Sequence, residues 1–326
     1  MENFADTVDN LRQRIDAELI EAVPQIQPES LYEPIRYFVG IGGKRLRPIL
    51  LLLSAQTVNG NIKSAISAAV AIELLHNFTL VHDDIMDRDD LRRGHDTVHK
   101  KWDEPVAILA GDGLIGLAYR QLMKLPSQYL IPVCRLFTEG VVEVCEGQAF
   151  DKEFETCSNV TLDEYFRMIG KKTGRLITMS TEIGAILGGG TEEEINLLSR
   201  YGSTIGTAFQ IQDDLLDIAA SEEVIGKTFG SDVKAGKKTF MMVKALQLAS
   251  DDQRSKIAEI LSSAKISPEM ILEIKHIFQE AQIFDQAKHE IHELFEKANN
   301  ILDEFPHPER AQGLRDFSEM LLNRKY

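Results

Sequence analysis

The sequence predicts an all-α protein, a single domain over residues 1–326 made of ten or more helices around a deep central cavity. Three observations lead there. Apolar residues recur three and four apart over runs much longer than a strand, which is the period of one helix face. Strand-like alternation is scarce, and no hairpin turn has convincing flanks. Helix-start signals with capping-box spacing stand at the heads of two long runs.

Taken in chain order, residues 1–16 are polar and amphipathic, which fits a surface helix and not a leader peptide. Ser30 is a helix start, and the glycine-bearing stretch 40–47 is a break. After a second break at 59–61 comes the run 65–82, which is apolar most of the way round and therefore reads as a central helix. Residues 88–103 read as a loop. The runs 107–124 and 132–150 are helical, divided by a break at 125–127. Thr161 with Glu164, and Thr191 with Glu194, have the spacing in which a hydroxyl and a carboxylate satisfy each other's backbone amides. They open the runs 162–187 and 192–218, divided by glycines at 188–190. Further breaks fall at 221–236 and 306–308.

Apolar residues make up 44% of the 326, enough for a sizeable core. The formal charge of −15 argues against non-specific binding to nucleic acid or to an anionic membrane surface. The three cysteines, Cys134, Cys145 and Cys157, have no CxxC spacing and read as thiols in a reducing cytoplasm. Charge interrupts every apolar run well short of a membrane span.

The chemistry begins with two acidic pentapeptides of one form. Asp83-Asp84-Ile85-Met86-Asp87 and Asp213-Asp214-Leu215-Leu216-Asp217 each put carboxylates at i, i+1 and i+4 after an apolar stretch. On a helix, i and i+4 share a face. Like charges so placed destabilise the helix by a few tenths of a kcal/mol, which a bound cation offsets. One such run alone reads as a solvated face; two of identical form, both embedded in apolar sequence, do not. Carboxylate ligands select a hard cation, and Mg²⁺ takes one or two of them and fills its shell with water and phosphate oxygens.

Basic segments accompany the acids. Gly42-Gly43-Lys44-Arg45-Leu46-Arg47 lacks the spacing of a nucleotide-binding P-loop, yet its cations can meet a phosphate. Arg92-Arg93, Lys171-Lys172, Lys227, Lys237-Lys238 and Arg324-Lys325 read singly as surface charge. Grouped around the acidic motifs of an acidic protein, they describe a diphosphate, and two sets of them describe two. An apolar cavity beneath describes hydrocarbon for the rest of each substrate.

With these motifs the chain resembles the trans-prenyltransferases, the polyprenyl diphosphate synthases that extend isoprenoid chains head to tail. Among them it is most similar to the short-chain archaeal-type geranylgeranyl and farnesyl diphosphate synthases. The resemblance runs in order through GGKRLRP, ELLHNFTLVHDDIMD, LRRG, AILAGD, GQAFD, KKTG, FQIQDDLLD, GKTFGSD and GKKT. It departs after LRRG, where His95-Asp96-Thr97 replaces the usual residue followed by Pro-Thr or Ala-Thr.

The resemblance implies a homodimeric, cytoplasmic, Mg²⁺-dependent enzyme, with Mn²⁺ as a substitute and three ions held once diphosphate is bound. Asp83 and Asp87 would hold metal on the allylic diphosphate, supported by Asp84. Asp213 would hold a further ion, with Asp214 and Asp217 behind it. Gln148 and Asp151 would be an accessory polar and metal-linked pair. Arg92, Lys172, Lys227 and Lys237 would contact the allylic diphosphate, and Lys44, Arg47, His76 and Arg93 that of isopentenyl diphosphate. Thr173 and Gln210 would lie near the developing cation, and Arg324-Lys325 would be a basic tail that closes over the site. Phe78 is five residues before Asp83, about 7.5 Å down a helix. With the small Thr79 beside it, Phe78 would set the floor for a C20 product, with C15 also released. The competing readings are a class I terpene cyclase and a non-catalytic subunit of a heteromeric synthase.

Overall fold

The computed structural model describes residues 4–157, 159–219, 230–263 and 265–324. Its helices, in order, are α1 (Phe4–Ala22), α2 (Glu29–Gly40), α3 (Leu46–Thr57), α4 (Ile66–Asp87), α5 (Val98–Lys101), α6 (Glu104–Leu122), α7 (Ser127–Thr156), α8 (Leu162–Ile169), α9 (Arg175–Gly188) and α10 (Glu192–Ala219). They continue with α11 (Ser231–Lys234), α12 (Phe240–Leu248), α13 (Asp251–Leu261), α14 (Pro268–Glu280), α15 (Ile283–Asp303) and α16 (Gln312–Leu322). The all-α expectation holds. Both capping boxes form as read: Glu164 N–H donates to Thr161 Oγ1 at 3.2 Å while Thr161 N–H donates to Glu164 Oε2 at 2.8 Å, and Thr191 and Glu194 repeat the pattern. No helix among the described residues is long and apolar enough to cross a membrane.

Several segments differ from expectation, among them the 221–236 break, which contains α11, and the 88–103 loop, which contains α5. The 88–103 loop contains a small hairpin, β1 (Leu91–Arg92) and β2 (His95–Asp96), with Leu91 opposite Asp96 and Arg92 opposite His95. Its two tip residues, Arg93 and Gly94, both have positive φ, 54° and 77°. A two-residue turn of that hand needs such values, and an Arg-Gly pair is a weak signal for it. The run 162–187 is interrupted by a π turn, Gly170–Gly174, between α8 and α9. Widened turns of this kind collect at functional positions, and this one carries Lys172 and Thr173.

The chain divides into two compact units. The first comprises Met1–Val141, Leu176–Gly202 and Ile301–Glu319. In it α4 packs along α6, α3 and α1. Nearly every residue of its first ten is buried, as an all-round apolar helix requires. At its other end His82 lies against Gly111 of α6, where a β-carbon would come within 2.2 Å of the imidazole Nε2. Arg45, in the left-handed region (φ 50°), precedes α3 and turns inward. Its guanidinium donates to Glu73 at 2.7 Å, to Asp16 at 2.8 Å and to the Val39 carbonyl at 3.0 Å. One cation from the basic turn is thereby committed to the core.

The second unit comprises Val142–Arg175, Ser203–Asn300 and Met320–Tyr326. Its π turn is admitted by glycines. A β-carbon on Gly147 of α7 would stand 2.2 Å from the Lys172 amide nitrogen, and one on Gly206 of α10 would stand 2.8 Å from the Gly174 α-carbon. Tyr165, Phe166 and Phe240 form an aromatic cluster joining α8 to α12.

Candidate active site

In the first unit, the acidic motif ends α4, which closes with Arg88 in the left-handed region (φ 56°). Asp83 and Asp87, one turn apart, are half-buried. Asp84 points the other way and is 1% exposed. Its Oδ1 accepts from Arg92 Nε at 2.7 Å and Nη2 at 2.6 Å. Burial alone would lower the Arg92 pKa, but the hydrogen bond and charge of Asp84 outweigh it and hold the guanidinium above its ordinary value. The hairpin explains the pairing, because β1 carries Arg92 back to the helix end it just left.

Arg93 at the hairpin tip donates to the Gly42 carbonyl. Gly43 makes room for it, since a β-carbon there would lie 2.9 Å from Nη1. The two glycines therefore seat an arginine, a use that the sequence reading did not assign to them. Arg47 Nη1 stands 3.1 Å from His76 Nε2. A guanidinium can only donate, so Nε2 accepts and the imidazole carries its proton on Nδ1. Burial, then the charges of Arg47, Arg93, Arg92 and Arg45, hold the His76 pKa well below its ordinary value. Of these four guanidiniums, Arg45 is paired with Glu73 and Asp16, and Arg92 with Asp84. Lys44 is exposed on the turn before α3. Phe78 stacks edge-on against His82 at 4.6 Å between centroids. Thr79 donates its hydroxyl to the His76 carbonyl at 2.8 Å.

In the second unit, Asp213 and Asp217 lie one turn apart on α10 and are half-buried. Arg324 Nη1 reaches Asp213 Oδ1 at 2.8 Å, with its guanidinium 5.0 Å over the Phe209 ring. Asp214 is 5% exposed. It accepts three hydrogen bonds: Tyr165 Oη to Oδ2 at 2.7 Å, the Phe240 amide to Oδ2 at 2.7 Å and Gln210 Nε2 to Oδ1 at 2.8 Å. Burial first, and the Asp232 charge second, nonetheless raise its pKa to about 7. Gln210 in turn accepts from Thr173 Oγ1 at 2.6 Å. Lys172 Nζ donates to Asp151 Oδ2 at 2.6 Å, and Gln148 is half-buried a turn away on α7. Asp232 donates its amide to Asp217 Oδ2 at 3.3 Å and has Lys237 Nζ at 3.7 Å. Lys227 and Lys325 lie outside the described residues.

The three carboxylates of a motif do not act together. Among the described residues no three acidic, imidazole or thiol groups converge tightly enough to hold a metal. The middle aspartates are the reason: Asp84 is turned to Arg92 and Asp214 to Tyr165 and Phe240. The outer carboxylates remain as half-buried oxygens one turn apart, a donor set that suits Mg²⁺ ligated by one or two carboxylates.

Residues 28–280 match the polyprenyl synthetase family. The chain belongs to that family. It is 47% identical over 246 residues to a geranylgeranyl diphosphate synthase of Methanosarcina mazei, covering 75% of this chain and 76% of the relative. It is 42% identical over 280 residues to a short chain isoprenyl diphosphate synthase of Methanothermobacter thermautotrophicus, covering 86% of each. The crystal structure of geranylgeranyl pyrophosphate synthetase from Pyrococcus horikoshii superposes with a TM-score of 0.92 at 36% identity, covering 99% of this chain and 100% of that one. The protein is thus a prenyltransferase with the all-α fold of isoprenyl synthases.

Within this polyprenyl synthetase the sequence reading missed Tyr165, Asp232, the Phe240 amide and the role of Arg45. Tyr165 reads as one apolar position of an amphipathic helix, and nothing local ties it to Asp214, 49 residues away. The sequence reading gave Arg45 no role, and its bonds to Glu73, Asp16 and the Val39 carbonyl supply one.

Proposed function

We propose that this chain is a Mg²⁺-dependent synthase that joins isopentenyl diphosphate to allylic diphosphates head to tail, giving all-trans geranylgeranyl diphosphate with some farnesyl diphosphate. The whole chain would form one synthase domain, acting as a homodimer in the cytoplasm. The observation that carries the reading is Arg47 on His76 Nε2, with Arg93 of the hairpin seated on the Gly42–Gly43 turn and Arg92 on Asp84, all on the same unit as Asp83 and Asp87. Such a cluster in a protein of charge −15 has the chemistry of a diphosphate site. Names of relatives that match over three quarters of the chain or more support the product class.

Asp83 and Asp87 would hold Mg²⁺ on the allylic diphosphate, and Asp213 a further ion, with Asp217 behind it. Asp151 would join them through its link to Lys172. Bound Mg²⁺ supplies Lewis-acid stabilisation of the charge that builds on the departing diphosphate. Arg92, Lys172, Lys227 and Lys237 would bind that diphosphate, and Lys44, Arg47, Arg93 and the Nδ1–H of His76 would bind isopentenyl diphosphate. Thr173 and Gln210 would face the allylic cation. Addition of the second substrate is then a matter of holding its double bond in reach. The released diphosphate would take the final proton, so no side chain is assigned as base.

The test is incubation of the pure protein with labelled isopentenyl diphosphate, each allylic primer and Mg²⁺, followed by product sizing. C15 and C20 diphosphates that vanish on chelation are the expected result. Cyclic hydrocarbon from a prenyl diphosphate alone would turn the reading to a terpene cyclase, and an inert chain would turn it to a partner subunit.

A further inference from the structure

Gln210 and Thr173 are joined to Asp214 by a chain of hydrogen bonds whose direction is set at one end. The Phe240 backbone amide, which can only donate, and the Tyr165 hydroxyl both fall on Asp214 Oδ2 at 2.7 Å. While Asp214 is ionised, the remaining oxygen, Oδ1, can only accept, so Gln210 turns its amide nitrogen to it at 2.8 Å. Gln210 Oε1 must then face Thr173, whose proton it takes at 2.6 Å. Every bond runs the same way, from Thr173 through Gln210 to Asp214. The hydroxyl proton of Thr173 is spent inside the chain, and its free lone pairs are what the residue can show a ligand. Asp214 and Tyr165 are 5% and 1% exposed, so bulk water has little access to the end of the chain that sets its direction.

We propose that Asp214 is a positioning residue that polarises this chain, so that Thr173 and Gln210 present oxygen lone pairs, and not protons, to the developing allylic cation. The proposal rests on the placement of Thr173 and Gln210 beside that cation, and it gives the middle aspartate of the second motif a task other than metal ligation. A hydroxyl whose proton pointed at a carbocation would oppose its formation. The same hydroxyl with its proton held elsewhere stabilises it, as oriented dipoles do wherever charge develops in a dry site.

Asp214→Asn tests the direction without emptying the site. The Phe240 amide requires an oxygen opposite it, so the new amide nitrogen must face Gln210. Gln210 then rotates to offer Oε1, its nitrogen turns to Thr173, and the Thr173 proton is expelled outward. The number of hydrogen bonds is unchanged while their direction is reversed. The double variant Asp214→Asn with Gln210→Glu moves the carboxylate one link along. The substituted amide on one side and the Thr173 hydroxyl on the other would both donate to it, which restores the orientation of the Thr173 proton and the original charge.

The readout is the single-turnover rate of condensation at saturating substrates, with KM for each substrate and a thermal melt for each variant. Asp214→Asn is expected to slow the chemical step roughly 10- to 100-fold. Both KM values and the melting temperature should stay close to those of the wild type, and the double variant should recover about tenfold or more. A merely structural aspartate predicts no loss in the isosteric single variant and no recovery in the double. A folded single variant with wild-type turnover overturns the proposal, as does a folded double variant no faster than the single. A wild-type protein that forms no prenyl chains would instead remove the functional reading beneath it.

Discussion

Neighbouring aspartates of one motif have opposite duties. Asp83 and Asp87 keep half-buried oxygens one turn apart, whereas Asp84 is buried and closes a two-point contact with Arg92 at 2.6 and 2.7 Å. Removing one partner of a buried ion pair strands the other and typically destabilises by about 3–5 kcal/mol. Arg92 keeps some solvent access, with its side chain 13% exposed, so the lower end of that range applies. Asp84→Ala is therefore expected to lower stability by roughly 3 kcal/mol, measured by urea denaturation. Asp83→Asn should leave the stability within about 0.5 kcal/mol of wild type, as at other surface-accessible positions, yet lower turnover by several orders of magnitude. Equal stability losses in the two variants would refute this division of labour.

At the scale of elements, glycines decide how closely helices approach the π turn that carries Lys172 and Thr173. Gly147 has backbone opposite it, the Lys172 amide nitrogen at 2.2 Å and α-carbon at 2.6 Å from an added β-carbon. Backbone cannot swing aside as a side-chain end can. Gly147→Ala should destabilise by about 1–3 kcal/mol, the range for overpacking, and shift Lys172 and Thr173 enough to depress turnover further than stability alone explains. Gly116 supplies the contrast, since it lies in α6 with nothing within 4 Å of an added β-carbon. Gly116→Ala should stabilise by about 0.5–1 kcal/mol through helix propensity alone. Calorimetry of the two variants beside steady-state kinetics checks both signs.

At the scale of the whole molecule, the property to explain is product size in a chain of net charge −15 that handles anionic substrates. Local cation clusters offset the overall field, so substrate capture should weaken as salt screens them. Phe78, braced against His82 at 4.6 Å with His82 in turn seated on Gly111, is the proposed stop for the growing chain. Phe78→Ala is expected to lengthen the product by one or more five-carbon units, read by sizing of the dephosphorylated products. An unchanged length distribution would take Phe78 out of the floor.

Period, caps and repeated acids are local properties, and the sequence by itself determined what depends on them: an all-α chain, the central position of α4, the starts at Thr161 and Thr191, and the two motifs that mark a diphosphate-handling site. Only the tertiary structure decided which member of each charged cluster is consumed in holding the fold. Arg45 is bound to Glu73 while Lys44 is exposed, and Asp84 and Asp214 are turned inward while their neighbours stay half-buried. The turn and helix ends that do this, Arg92 in its hairpin and the Phe240 amide 26 residues from Asp214, meet their partners through packing between elements. Adjacent residues of one chemical type differ on a helix only by about 100° of rotation, and what each direction meets is fixed by other segments of the chain.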